Sequence, residues 1–212
     1  MPEIKISASI LNSDLSELRK IAEQIEKNNI EYLHFDVMDG EFVENITYGS
    51  CVQAAVKPHF GGVMDTHLMV RRPDRQIKLF AEAGSDIITF HAESDSDISD
   101  TIRLIKSFGV KAGLAVKPGT DISVVMPYLD ELDMVLVMTV EPGYGGQGFI
   151  PETLDKIRAV RAAAPDIDIQ VDGGINDKTA SLVREAGANI LVSGTYLFRA
   201  ESMFGAAELL RK

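Results

Sequence analysis

Cysteine is all but absent. Cys51 stands alone among 212 residues, which rules out an internal disulfide and any zinc cluster built from several thiolates. A lone cysteine reads most simply as a small buried or half-buried hydrophobe. Long apolar runs are missing too: the longest, Met134 to Val140 with Thr139 inside it, falls far short of the roughly 18 residues a spanning helix needs. No membrane partner is expected. Nor can an apolar leader be drawn, because Glu3, Lys5, Asp14, Glu17, Arg19 and Lys20 interrupt the start of the chain, and a cytoplasmic protein is the expectation. Basic residues are the minority, 21 against 32 acidic ones, giving a formal net charge of -11. No Lys/Arg block exceeds Arg71-Arg72. That balance repels phosphodiester backbones, so nucleic acid is not an expected partner.

What is present is the composition of a globular domain, 45% hydrophobic and 25% charged, with no linker or shift in composition to divide it. Short β-branched runs near residues 4–9, 32–37, 63–69, 86–91, 111–116, 134–140, 168–172 and 189–193 read as strands. Amphipathic stretches alternate with them: Leu15, Leu18, Ile21, Ala22 and Ile25 early, Leu154, Ile157, Val160 and Arg161 late, and a helix is expected after every strand. The helices also share a way of stopping. Glu82-Ala83-Gly84 reappears in kind as Glu185-Ala186-Gly187, and Gly109 sits in a similar place, each glycine permitting a left-handed cap. Eight such units in one domain, residues 1–212, predict an α/β fold of the TIM (β/α)8 barrel type. A doubly wound open sheet is the rival, since periodicity does not show closure.

In either architecture ligands sit at the carboxyl ends of the strands. His34 and Asp36, two apart on the second strand, share a face. His67 on the third strand and Asp172 on the seventh reach the same mouth. Two imidazoles and two carboxylates make a plausible site for one divalent ion such as zinc, iron, cobalt or manganese. His91 and Glu93 close the fourth strand as candidates to support that set. His59, beside Pro58, reads as solvated.

The stretch Gly143-Tyr144-Gly145-Gly146-Gln147-Gly148 fits G-x-G-x-x-G, the dinucleotide pattern. It follows the sixth strand, and Phe149, Ile150 and Pro151 still precede the helix expected near Glu152. A loop whose backbone N–H groups wrap an anionic oxygen is the better reading. Gly173-Gly174-Ile175-Asn176, expected to open a helix, and Ser193-Gly194-Thr195 are two more such places, where barrels commonly bind phosphate. Met38, Met69 and Met138 fall at strand ends near the mouth. Lys117 is the best candidate for Schiff-base chemistry, and usual solvation of a lysine beside a loop proline argues against it.

Ser9-Ile10-Leu11, His34-x-Asp36-x-Met38-Asp39-Gly40, Asn45-Ile46-Thr47, His67-Leu68-Met69, Met138-x-Val140-x-Pro142-Gly143-Tyr144-Gly145-Gly146-Gln147 and Val171-Asp172-Gly173-Gly174 together resemble the ribulose-phosphate 3-epimerase family, in order and over nearly the whole chain. The resemblance implies a TIM barrel of the pentose phosphate pathway that interconverts D-ribulose 5-phosphate and D-xylulose 5-phosphate. It implies one divalent metal ion per subunit on His34, Asp36, His67 and Asp172, with Asp36 and Asp172 as the acid/base pair. Ser9, His67, Gly143, Tyr144, Gly145, Gly146, Asp172, Gly173, Gly174, Gly194 and Thr195 would bind substrate and phosphate. Met38, Met69 and Met138 would cap the intermediate, and family precedent offers homo-oligomers, dimers or hexamers. Thr195 stands where serine is frequent and keeps the hydroxyl. Allulose-6-phosphate 3-epimerase is the sister activity. A related decarboxylase would want Asp-x-Lys-x-x-Asp where this chain has Asp65-Thr66-His67.

Overall fold

The computed structural model describes residues 3–212. Eight parallel strands close on themselves in sequence order: β1 (Lys5–Ser9), β2 (Tyr32–Met38), β3 (Val63–Met69), β4 (Ile87–His91), β5 (Lys111–Val116), β6 (Met134–Met138), β7 (Asp168–Asp172) and β8 (Ile190–Ser193). The closing pair, β1 with β8, runs in register from Lys5 opposite Ile190 to Ala8 opposite Ser193. Closure therefore settles the barrel over the open sheet. The helices are α1 (Leu18–Lys27), α2 (Ser50–Val56), α3 (Ile77–Glu82), α4 (Ile98–Ser107), α5 (Leu154–Ala163), α6 (Ala180–Ala186), α7 (Thr195–Arg199) and α8 (Met203–Arg211). Among the described residues, no helix is long and apolar enough to cross a membrane.

The period of two along each strand sorts its residues between two environments. Leu33, Phe35 and Val37 of β2, Ile88 and Phe90 of β4, and Leu114 and Val116 of β5 join the apolar layer between barrel and helices. Their neighbours point inward, and the inward face changes character along the axis. Tyr32, Ile87, Met134 and Ile190 form a separate apolar cluster at the amino ends of the strands. Above them the inward residues of β1 to β4 and β7 turn polar, Ser7, His34, Asp65, Thr89 and Gln170, then Ser9, Asp36, His67 and His91, all buried, while Ala115, Leu136 and Met138 keep the β5 and β6 side apolar. An apolar floor below a polar upper layer leaves chemistry only at the carboxyl end.

Cys51, expected to be buried or half-buried, is exposed on α2, and the expected alternation of strand and helix breaks after β5. Between β5 and β6 there is no α-helix, only two 3-10 turns, Ile122–Val124 and Met126–Tyr128. Pro127 inside the segment removes a backbone donor, and Ile122, Val124 and Val125 carry the β-branching that disfavours a helix. The glycine-ended helices are as expected, with Gly84, Gly109 and Gly187 at φ 90°, 73° and 117°. Gly187 caps α6, and a Cβ there would lie 2.8 Å from Arg161 Cβ. Gly187→Ala is expected to cost about 1–3 kcal/mol of stability, from forced left-handed backbone and that clash. Urea unfolding would measure it, and a midpoint unchanged from the parent would refute it.

Candidate active site

Strand register brings four chemically active side chains to one point. Ser9 pairs with His34 across β1–β2, and Asp36 pairs with His67 across β2–β3. Asp172 ends β7 on the far wall, opposite Met138 of β6. His34 Nε2 lies 3.2 Å from Asp36 Oδ1 and 3.8 Å from Asp172 Oδ2. His67 Nδ1 lies 3.1 Å and 3.8 Å from the same two atoms. One donor atom from each residue falls within 4.8 Å of all the others.

This set fits a divalent cation. Donors about 2.1 Å from a common centre stand roughly 3 to 4 Å apart. The stronger argument is His34: its Nδ1 lies 2.7 Å from Asp65 Oδ2, and an ionised carboxylate only accepts, so the proton of the neutral ring sits on Nδ1. Nε2 is then an electron pair aimed at two carboxylates, and it is buried without a hydrogen-bond partner. Only a proton or a cation reconciles such a cluster. Burial opposes a charged imidazole, yet Asp36 and Asp65 outweigh it and hold His34 well above the ordinary histidine value. The same balance separates the carboxyls. Burial opposes ionisation of Asp36, but His34 and His67 overcome it and keep that group well below the usual carboxylate range. Asp172 is pushed up to about 6 by burial and by the Asp36 charge.

Asp65 is the residue the sequence reading passed over. Fully buried under the site, its Oδ2 also accepts from Ser7 Oγ at 2.9 Å and from Gln170 Nε2 at 2.5 Å. Its signal was its place two before His67, the same spacing that joined His34 to Asp36. His91 and Glu93 do stand behind His67: the His67 and His91 Nε2 atoms are 2.9 Å apart, and His91 Nδ1 is 3.1 Å from Glu93 Oε2. Burial presses His91 down to about 4. Hydrogen bonds to Glu93, from His91 first, overcome its own burial and hold it at about 2.

Above the four residues opens a cavity of about 730 Å³. Ser9, Asp36, Met38, Met69, Met138 and Asp172 line its inner end, and its wall carries Gly143–Gly146, Gly173, Gly174, Gly194 and Thr195. His34 and His67 are sealed at 0% exposure and are absent from that lining. His67, also expected to touch substrate, has its Nδ1 toward Asp36 and Asp172 and its Nε2 toward His91. Ser9 Oγ donates to Asp36 Oδ2 at 2.7 Å.

The wall is held open by local backbone choices. Gly173 has φ 118°, and a Cβ on it would lie 2.3 Å from Val140 Cγ2. Thr139 steadies it, its N–H donating to Asp172 O at 2.7 Å and its hydroxyl to Gly173 O at 2.5 Å. Gln147 Nε2 staples the loop after β6 by donating to Glu141 O and Tyr144 O at 2.6 and 2.8 Å. Asn12, unremarked in the sequence, joins the rim by donating to Thr195 Oγ1 at 3.1 Å. Gly194 N-caps the short α7. The segment after Gly174 differs from expectation: Asn176 and Thr179 bond to each other in a turn, and α6 starts only at Ala180. Lys117, expected to be solvated, is half-buried, its Nζ 3.8 Å from the centre of the Phe42 ring.

Residues 5–198 match the model of the Ribulose-phosphate 3 epimerase family. A ribulose-phosphate 3-epimerase of Bacillus subtilis is 46% identical over 200 residues, covering 92% of this chain and 92% of the relative. The protein named as the cytoplasmic isoform in Oryza sativa is 40% identical over 208 residues, covering 96% and 89%. Among solved structures, a 3-hexulose-6-phosphate synthase superposes with a TM-score of 0.73 over 98% of each chain at 17% identity, a likeness of fold alone. The sequence match runs from the first strand of the barrel to the helix after the last, far beyond any single motif, and the chain belongs to the ribulose-phosphate 3-epimerase family.

Proposed function

We propose that the whole chain, residues 1–212, is one barrel domain that interconverts D-ribulose 5-phosphate and D-xylulose 5-phosphate by moving a proton at carbon 3. The observation that carries this reading is the pair Asp36 and Asp172, two carboxyls from β2 and β7 at the floor of one cavity, with affinities for protons pushed in opposite directions. Epimerisation next to a ketone needs one group to take a proton from one face and another to return one to the opposite face. Asp36, ionised and fixed by Ser9, suits the acceptor. Asp172, holding its proton more tightly, suits the donor, and reversal of the reaction exchanges their duties.

His34, Asp36, His67 and Asp172 would hold one divalent ion, of zinc, iron, manganese or cobalt. When bound, such an ion supplies Lewis-acid stabilisation for the negative charge that develops on the sugar oxygens. Met38, Met69 and Met138 present an aprotic, polarizable surface that keeps water from the flattened sugar anion. Backbone N–H groups of Gly173, Gly174, Gly194 and Thr195, with the loop Gly143, Tyr144, Gly145 and Gly146, suit the phosphate, and their grip orients the distant carbon 3. A sugar phosphate is thus the small-molecule partner, and a homo-oligomer in the cytoplasm is the setting this reading favours. The relatives' names favour the pentose over allulose 6-phosphate.

The test is turnover of ribulose 5-phosphate by the metal-loaded protein in heavy water. Xylulose 5-phosphate carrying deuterium at carbon 3 is the expected product. Absence of turnover, or a stronger preference for allulose 6-phosphate, would overturn the assignment, and an inverted product without deuterium would overturn the proton route.

A further inference from the structure

The two imidazoles of the cluster are anchored differently. His34 is held from behind by a carboxylate, Asp65, on its Nδ1. His67 presents its Nδ1 to Asp36 and Asp172, so its outer nitrogen is Nε2, and behind that stands a second ring, His91. Two neighbouring imidazole nitrogens 2.9 Å apart share one proton, and the question is which ring owns it. Glu93 decides. Its Oε1 already accepts from the Lys117 backbone N–H at 2.8 Å and from the Thr120 hydroxyl, so the group is an acceptor fixed in place. Its Oε2 then requires a proton on His91 Nδ1, 3.1 Å away. A neutral His91 with its proton on Nδ1 has only an electron pair on Nε2, which must receive the proton of His67 Nε2.

We propose that His91 and Glu93 are positioning residues for His67: the carboxylate dictates the proton on His91, His91 dictates the proton on His67, and His67 Nδ1, 3.1 Å from Asp36 Oδ1, is left as an electron-pair donor when an ion is held by the four residues. The order of the chain is Glu93, His91, His67, with every ring buried at 0% exposure. It reaches past the barrel wall. The loop that donates to Glu93 is itself gripped by Lys156 of α5, whose Nζ donates to Lys117 O at 2.9 Å, to Pro118 O at 2.6 Å and to Thr120 O. The segment after β5, which has no α-helix, is by this route tied to a candidate metal ligand on β3. His34 and His67 thereby hold opposite tautomers, each with its free electron pair turned to the same point.

The inference rests on the metal-holding reading of the four residues, and the experiment separates the two. Dissociation constants for Zn(II) and Co(II) are measured by chelator competition on the parent, His91→Gln and His91→Phe, with thermal melts to verify folding. Gln can place an amide oxygen to accept from His67 Nε2, and Phe cannot. His91→Phe is expected to bind either ion about 10–100-fold more weakly, with an altered Co(II) visible spectrum. His91→Gln is expected to recover most of that loss and the parent spectrum. A parent chain that binds neither ion sinks the metal-holding reading and this inference with it. A parent that binds, with His91→Phe folded and equal to it, or His91→Gln no better than His91→Phe, sinks this inference alone. Should His91→Phe not fold, nitrogen NMR of the zinc-loaded parent decides: protons on His67 Nε2 and His91 Nδ1 are expected. A proton on His91 Nε2 would overturn the assignment.

Discussion

Asp172→Asn is expected to lower kcat for epimerisation of ribulose 5-phosphate by about 10²–10⁴-fold, the usual contribution of a positioned acid or base, while KM changes little. That is roughly 3–5 kcal/mol of activation barrier from one atom replaced. An overall loss alone would not separate catalysis from a damaged site, so the half-reactions matter. Asp36 is untouched in this variant and on the proposed scheme still faces carbon 3 of ribulose 5-phosphate, so slow exchange of that hydrogen with heavy water is expected without inversion. From xylulose 5-phosphate the same variant has no acceptor on the correct face, and exchange should vanish. Asp36→Asn should show the mirror image, exchange into xylulose 5-phosphate only. Rates are compared at saturating metal with the bound ion quantified, because both carboxyls belong to the proposed ligand set. Near-normal turnover by either variant, or symmetrical exchange with both substrates, would defeat the two-carboxyl scheme.

The strand pattern made most of this architecture legible. The runs at 63–69, 111–116 and 168–172 coincide with β3, β5 and β7, because buried parallel strands are apolar on their outward face and bounded by turn residues. The pairing of His34 with Asp36 was visible for the same reason, a period of two. Closure was not visible. It depends on β1 meeting β8 across some 180 residues, and nothing local encodes that. The segment after β5 broke the expected alternation because Ile122, Val124 and Val125 are β-branched and Pro127 forbids the continuous hydrogen bonding a helix needs. Asp65 drew no role because its place two before His67, though legible, takes on meaning only once His34 is seen to lie 2.7 Å away. The connection from His67 through His91 to Glu93 is likewise spatial. Two of its members are adjacent in period, His91 and Glu93, but the third comes from the neighbouring strand, and only register places it.

Stripping bound metal is expected to abolish epimerisation, and adding back a single divalent ion to restore it, with a rise in melting temperature that follows ion concentration. An ion that binds the folded chain alone stabilises it by RT ln(1 + [L]/Kd), about 2.7 kcal/mol at a hundred times Kd. The protons report the site more directly than the melt. Ligands must give up their protons before they coordinate. Without a cation His34 is held protonated well above its ordinary range by Asp36 and Asp65, so near pH 7 ion binding should expel a proton from that ring. Asp172, raised to about 6, is mostly ionised at pH 7 and mostly protonated at pH 5. Binding at pH 5 must therefore release a second proton, and affinity falls as pH falls through 6. Calorimetric titration in buffers of different ionisation enthalpy counts these protons. More released per ion at pH 5 than at pH 7 is the expected sign. A pH-independent count, or full activity in protein shown to be free of divalent metal, would mean that the four donors meet for some purpose other than holding an ion.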